Sequence, residues 1–152
     1  MKRLILIALS LALTAVACDN GSSSSTTPTT PSQTLATDIL TGTVPPPVNG
    51  VLQSDFRPLT VGQGGGQISV TLTSAVETFP GGSLLTTVTM GLAVGTLSGT
   101  TCTIIPGAST VAQGGSTAQL TGSLAAGSYC VQVSDVTSQL GPVAWAVAVV
   151  HP

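Results

Sequence analysis

The sequence predicts an all-β domain, an antiparallel β-sandwich of about seven to nine short strands with a jelly-roll or Ig-like arrangement. Three observations predict it. From residue 51 onward, apolar residues alternate with small polar ones, which is the period of a half-buried strand. Glycine and proline pairs interrupt this alternation at short intervals. Thr and Val, whose branched side chains fit a pleated surface, recur throughout, and no segment after the first 17 residues has a helical period.

The chain begins with a predicted signal peptide, residues 1–17. Two basic residues precede an apolar run of 14 residues, Leu4–Ala17, which is shorter than the roughly 20 residues that a membrane-spanning helix needs. The small residues that lead to Cys18 resemble the lipobox of bacterial lipoproteins. The resemblance implies that Cys18 is lipidated, so the protein would be anchored in the bacterial cell envelope, facing the periplasm or on the cell surface. The alternative is an ordinary signal peptide cut near Ala17.

A disordered tether is predicted over residues 18–50, before a folded domain at 51–152. The segment Gly21–Pro31 is almost entirely Ser, Thr, Pro and Gly, and cannot bury enough apolar surface to offset its ordering entropy. Gln33–Val44 contains a few apolar residues, so it either packs loosely or forms a first edge strand. Pro45–Pro47 is a stiff, extended spacer.

Eight segments of the domain carry the strand pattern. Pro58 cannot donate a ladder hydrogen bond and predicts an edge position or a bulge for the first of them. Pro106 and Gly107 are predicted to separate the fourth from the fifth. The predicted strands are Asp55–Val61, Gln67–Thr73, Leu85–Val94, Thr100–Ile105, Ser109–Gln113, Thr117–Gly122, Gly127–Asp135 and Val143–Val150. The side chains predicted to point inward are Ile68, Val70, Leu72, Val88, Met90, Leu92, Val94, Tyr129, Val131, Val133, Trp145, Val147 and Val149.

Two cysteines remain when Cys18 carries lipid. Outside the cytoplasm, the pair Cys102 and Cys130 predicts a disulfide on an outer face or at a rim. Its loop of 29 residues would contribute about 3–4 kcal/mol in the chain-entropy model. The alternatives are two free buried thiols, or a metal site, for which two thiols without a nearby histidine are too few ligands.

Charged residues are rare in the predicted mature chain, which keeps Arg57 as its single basic side chain. One cation cannot neutralise a run of phosphates, so nucleic acid is excluded as a partner. A surface of Thr, Ser, Gln and Gly is typical of secreted or surface-held β proteins rather than of cytosolic enzymes. The acidic residues, which give a net side-chain charge of −4, are Asp19, Asp38, Asp55, Glu77 and Asp135.

No catalytic pattern is found. His151, the only histidine, is expected on a fraying C-terminal tail, which disfavours a Ser/His/Asp triad. The carboxylates Asp55, Glu77 and Asp135 fall in separate segments and are expected to be solvated in turns or at strand ends. A glycosidase pair, or a calcium site built from Asp55 and Asp135, stays open as an alternative. Gly62–Gln67 lacks the lysine and hydroxyl of a phosphate-binding loop and is predicted to be a hairpin turn. We therefore expect no enzyme activity, no metal and no cofactor.

The few aromatic residues bear on sugar binding, because glycan-binding modules expose such rings as stacking platforms. Trp145 and Tyr129 fall on inward-facing positions and are predicted to lie in the core. Phe79, beside Pro80 in a turn, is the one aromatic residue expected near the surface.

The domain resembles the bacterial pre-peptidase C-terminal family, whose β-sandwich modules are appended to exported proteins. The resemblance implies a non-catalytic module, and some members of the family bind carbohydrate, collagen or calcium. Thr87–Leu92 has no carboxylate where the family commonly has an acidic strand, so calcium binding is not implied here. The segments that carry the resemblance are Asp55–Val61, Gly66–Leu72, Leu124–Val133 and Trp145–Val149.

Together these features favour a lipid-anchored envelope protein whose β-sandwich is a non-catalytic module that binds a protein or a glycan. Two alternatives remain open. The first is a structural subunit of a surface layer or complex, because few charges protect the strand edges against pairing. The second is a weak hydrolase that uses the scattered carboxylates.

Overall fold

The computed structural model describes residues 34–79, 81–82, 84–85 and 88–152. The predicted signal peptide, the predicted lipidation site Cys18 and the first part of the predicted tether lie outside these residues. Every regular element in the described part of the chain is a strand. No helix there has the length and hydropathy to cross a membrane.

Two antiparallel sheets face each other, which confirms the predicted all-β sandwich. The strands among the described residues are β1 (Ala36–Val44), β2 (Ser54–Val61), β3 (Gly66–Thr78), β4 (Leu84–Leu85), β5 (Thr89–Ser98), β6 (Thr101–Gln113), β7 (Leu120–Leu124), β8 (Gly127–Asp135) and β9 (Val143–His151). Sheet I has the order β1-β9-β3-β4, and β7 also pairs with β3. Sheet II has the order β2-β8-β5-β6. β2 contains Pro58 and lies at the edge of sheet II, so the first of the two alternatives for this segment is confirmed.

The core lies between the two sheets, where the alternating apolar residues meet. With one exception, every side chain predicted to point inward is at most 6% exposed. The exception is Tyr129, which is partly buried at the core margin, where its hydroxyl donates a hydrogen bond to Ala125 O at 3.1 Å. Alternation therefore identified the core of both sheets. Further core residues are Val44, Leu59, Val61, Ala75, Ala112 and Val143.

Strand β1 makes the folded domain begin earlier than the predicted boundary at residue 51. It pairs with β9 along its full length, from Ala36 opposite His151 to Val44 opposite Val143. Of the two alternatives for Gln33–Val44, the first edge strand is confirmed. The predicted tether over 18–50 is corrected accordingly, because its second half contains a strand of sheet I.

Strand β6 runs through Pro106 and Gly107, so the predicted break at these residues is wrong. Residues 105–108 leave the ladder and bulge opposite the single residue Val94 of β5, where the register shifts. Gly107 has a φ of 81°, which glycine adopts without strain. Because β6 is an edge strand, a proline is tolerated there.

Three other strands, β3, β5 and β7, differ from the prediction by more than one residue in their bounds. β7 is Leu120–Leu124 rather than Thr117–Gly122, and β5 ends at Ser98 rather than Val94. β3 continues past the predicted end at Thr73 because a register shift between Leu72 and Ser74 moves the inward phase by one residue and buries Ala75. β5 begins at Thr89 rather than Leu85. β8 begins and ends where the alternation does.

Candidate functional site

One side of the sandwich, between β1 and β2, is closed by polar contacts. Arg57, the single Lys or Arg among the described residues, donates from Nε to Thr41 O at 2.7 Å and from Nη1 to Asp55 Oδ1 at 2.6 Å. Asp55 Oδ2 accepts a hydrogen bond from Thr43 N at 3.0 Å. Two side chains of β2 thus bind the backbone of β1 and join the two sheets.

Trp145 lies behind this ion pair and in the core, as predicted. The Arg57 Cζ atom is 5.5 Å from its ring centroid, a cation–π distance. The indole Nε1 is buried and has no hydrogen-bond partner in the described part of the chain. A Cβ at Gly42 would stand 2.6 Å from Trp145 Cζ2 and 2.7 Å from Arg57 Nη2. Because protein side chains fill the space over Gly42, we assign this cluster a structural role.

Glu77 and Asp135 hold the loop that joins β8 to β9, and the prediction that they are solvated is wrong. Glu77 is 3% exposed and Asp135 is 2% exposed. Glu77 Oε1 accepts hydrogen bonds from the backbone N–H groups of 140 and 141 at 2.6 and 2.8 Å. The Asp135 oxygens accept bonds from those of 137 and 139, both at 2.9 Å. Each carboxylate substitutes for backbone acceptors that an irregular loop lacks.

His151 is the last residue of β9 and is buried, so the expected fraying is not observed. Its Nε2 lies 3.1 Å from Asp38 Oδ2, and its Nδ1 lies 3.0 Å from Pro152 O. Asp38, which the sequence placed in the tether, is part of β1. Both ring nitrogens therefore lie within hydrogen-bond distance of an oxygen atom.

The carboxylates do not assemble into a metal-binding group. Within the described residues, no three His, Cys, Asp or Glu side chains come together in an arrangement that could hold a metal ion. Asp55 and Asp135, the pair considered for calcium, belong to two different hydrogen-bonded clusters.

The predicted Cys102–Cys130 disulfide is confirmed. It joins β6 to β8, the two strands that flank β5, with a Cα–Cα distance of 5.9 Å. Both cysteines are in register with β5 positions that point away from the core, as expected for an outer-face disulfide. Cys130 is nevertheless fully buried.

The opposite side of the sandwich, between β6 and β7, is open and apolar. A groove of about 240 Å³, here called the β6–β7 groove, lies between the edges of the two sheets. Its floor is formed by the core residues Ile68 and Val94. None of its lining residues is charged or aromatic. Its walls are Ile105, Pro106, Gly107, Ala108, Leu120, Thr121, Gly122, Ser123 and Leu124.

Two local features create the β6–β7 groove. The bulge at residues 105–108 forms one wall, and the short strand β7, which covers only Gly66–Val70 of β3, forms the other. Gly122 leaves the groove accessible, because a Cβ added there would meet no atom within 4 Å. Sequence reasoning missed this site. The available signal was the Pro-Gly pair inside an alternating run, which was interpreted as a break rather than as a bulge.

The comparisons with known proteins identify no family for this chain. No protein-family model, no curated protein and no solved structure matches the chain.

Proposed function

We propose that this protein is a lipid-anchored component of the bacterial cell envelope whose β-sandwich is a non-catalytic binding module, and that it binds its partner through the β6–β7 groove. The observation that carries the proposal is the difference between the two sides of the sandwich. The β1–β2 side is closed by Arg57 and Asp55, whereas the β6–β7 side exposes an apolar groove that reaches the core.

The polar side chains support a binding role over a catalytic one. The groups that hydrolysis would need, Glu77, Asp135 and His151, are engaged in contacts that hold a loop or a strand pair. A hydrolase built from these carboxylates would have to break such contacts to free a base or a nucleophile.

The disulfide supports the exported location in this proposal. Disulfides persist in oxidising compartments, so the Cys102–Cys130 bond agrees with a chain that carries a signal peptide and a lipidated Cys18. The pre-peptidase C-terminal family, which the domain resembles, likewise consists of exported β-sandwich modules without catalytic activity.

The chemistry of the groove favours a protein ligand over a glycan. Sugars are usually held by exposed aromatic rings and by hydrogen-bonding side chains, and the β6–β7 groove is lined by aliphatic and small residues. An apolar groove beside a strand edge suits the aliphatic side chains of another polypeptide.

Gly122→Asp tests this proposal, because it places a charge in the groove without a clash. Chemical cross-linking should attach the native full chain to other envelope proteins. We expect the full chain with Gly122→Asp to lose these cross-linked products. Gly115→Asp is the matched control, since Gly115 is exposed, lies outside the groove and has room for a Cβ. Equal cross-linking by the two variants, both folded with unchanged Tm, would contradict the proposal.

A further inference from the structure

The connection between β1 and β2 carries an apolar tip, residues 48–52. Val48, Val51 and Leu52 are 57%, 63% and 46% exposed. Val48 and Val51 exchange backbone hydrogen bonds at 3.2 and 2.9 Å across a two-residue turn. Asn49 and Gly50 have φ values of 53° and 77°, the signs that a type I′ turn requires. The apolar tip is therefore a formed hairpin that presents aliphatic side chains to solvent.

We propose that the apolar tip of one copy inserts into the β6–β7 groove of a second copy. The inference rests on the proposed function, because it names the partner of the same groove. It makes the protein a self-assembling subunit at the membrane surface.

The size of the β6–β7 groove fits such an occupant. Pockets for drug-sized ligands measure roughly 300–1,000 Å³, and the groove is smaller, about 240 Å³. A cavity of roughly 150 Å³ holds one benzene-sized group, so the groove has room for about two aliphatic side chains. Val48 and Val51, which lie opposite each other across the turn, provide two.

Charge is compatible with contact between copies. Neither the apolar tip nor the β6–β7 groove contains a charged residue, so insertion desolvates no ion. The first part of the predicted tether is a poorer occupant, because residues 19–33 include no aliphatic side chain.

The topology determines the kind of assembly. The apolar tip joins β1 and β2, which are edge strands on one side of the sandwich, and the groove lies between β6 and β7 on the other side. A contact between opposite sides of two copies is heterologous and leaves a free tip and a free groove at the ends. Repetition of this contact produces an open chain or a ring of subunits rather than a two-fold dimer.

The membrane supplies the concentration that the contact needs. Two side chains in a groove bury far less than the roughly 800 Å² per partner of a standard stable interface. A stable dimer in solution is therefore not expected. Lipid anchors confine the copies to one plane and raise their effective concentration, so assembly is expected on the membrane.

Disulfide trapping in the envelope tests the contact in the full chain with its signal peptide. The double variant Val51→Cys/Gly122→Cys carries one new thiol in the apolar tip and one in the groove. Under mild oxidation we expect a ladder of dimers, trimers and longer species. Each single variant should give no ladder, and a mixture of the two single variants should give a mixed dimer. The control Val51→Cys/Gly115→Cys should show at least tenfold less trapped product.

Failure of this inference can be separated from failure of the proposed function. A double variant that remains monomeric, or a control that forms an equal ladder, overturns the self-association. If Gly122→Asp still abolishes cross-linking to other envelope proteins in that case, the groove binds a different protein and the proposed function stands. If Val48→Asp in the double variant leaves the ladder unchanged while Tm is also unchanged, the tip is not the occupant and the inference is wrong.

Discussion

At the scale of single residues, Gly95 shows how the outer face of sheet II accommodates its disulfide. Gly95 pairs with Cys130 on one side and with Ile104 on the other, so the bond between β6 and β8 passes beside it. A Cβ at this position would stand 2.5 Å from Thr103 O and 3.0 Å from Cys102 Sγ. The packing around the disulfide therefore requires glycine at Gly95.

Gly95→Ala is expected to destabilise the domain by about 1–3 kcal/mol, the usual cost of overpacking. The added methyl group would meet the backbone on one side and the disulfide on the other, so it cannot move away from either. Urea unfolding measures the change. Gly122→Ala is the matched control in another strand; its Cβ meets open space, so its free energy of unfolding should change by less than about 0.5 kcal/mol. A Gly95→Ala protein as stable as this control would contradict the packing.

At the scale of elements, the loop between β8 and β9 depends on a side chain from β3. Glu77 Oε1 accepts two backbone N–H bonds from the loop, and the bond from Gly141 is buried. Leaving buried donors without an acceptor costs roughly 1–3 kcal/mol each. The loop position is thus determined from the neighbouring strand of sheet I rather than by its own sequence.

Glu77→Ala is expected to lower the free energy of unfolding by about 3 kcal/mol, because two N–H groups lose their acceptor. Glu77→Gln keeps an amide oxygen for them and should lose less than the alanine variant. Chemical denaturation gives both values. Faster amide hydrogen exchange at residues 140 and 141 in Glu77→Ala would confirm the location of the effect, and equal stability of the two variants would contradict it.

The elements also show what alternation can and cannot predict. β8 was predicted with correct bounds because its Val residues alternate without interruption, whereas β6 was divided because a local pattern cannot distinguish a Pro-Gly bulge from a turn. The local pattern does not decide the state of β1, since its strand state depends on pairing with β9, which is about a hundred residues distant in the chain. Likewise, the burial of Glu77 depends on a loop formed by residues 136–142 and could not be predicted from its neighbours. The groove was missed because it exists only where two sheet edges diverge.

At the scale of the whole molecule, the sandwich joins a closed side to an open side. Arg57 and Asp55 close the β1–β2 side, and the disulfide holds β6 to β8, beside the open groove. β6 forms one wall of the groove through its bulge. We therefore expect the disulfide to stabilise the domain as a unit and to maintain the groove wall as well.

Cys102→Ala/Cys130→Ala is expected to cost about 3–4 kcal/mol, the chain-entropy contribution of a loop of this length, which is a large share of the net stability of a domain of this size. The transition midpoint in urea measures the loss. Reduction of the native protein should produce a similar shift, whereas Cys18→Ser should leave the midpoint unchanged. An unshifted midpoint in the double alanine variant would contradict the stabilising role.

The proposed function requires export and lipid anchoring, and the intact mass of the protein purified from the envelope tests both most directly. The expected mass is that of a chain beginning at Cys18, with a diacylglycerol group on that residue and two hydrogens fewer for the Cys102–Cys130 bond. A protein recovered from the cytosol with residues 1–17 attached and both thiols reduced would contradict it.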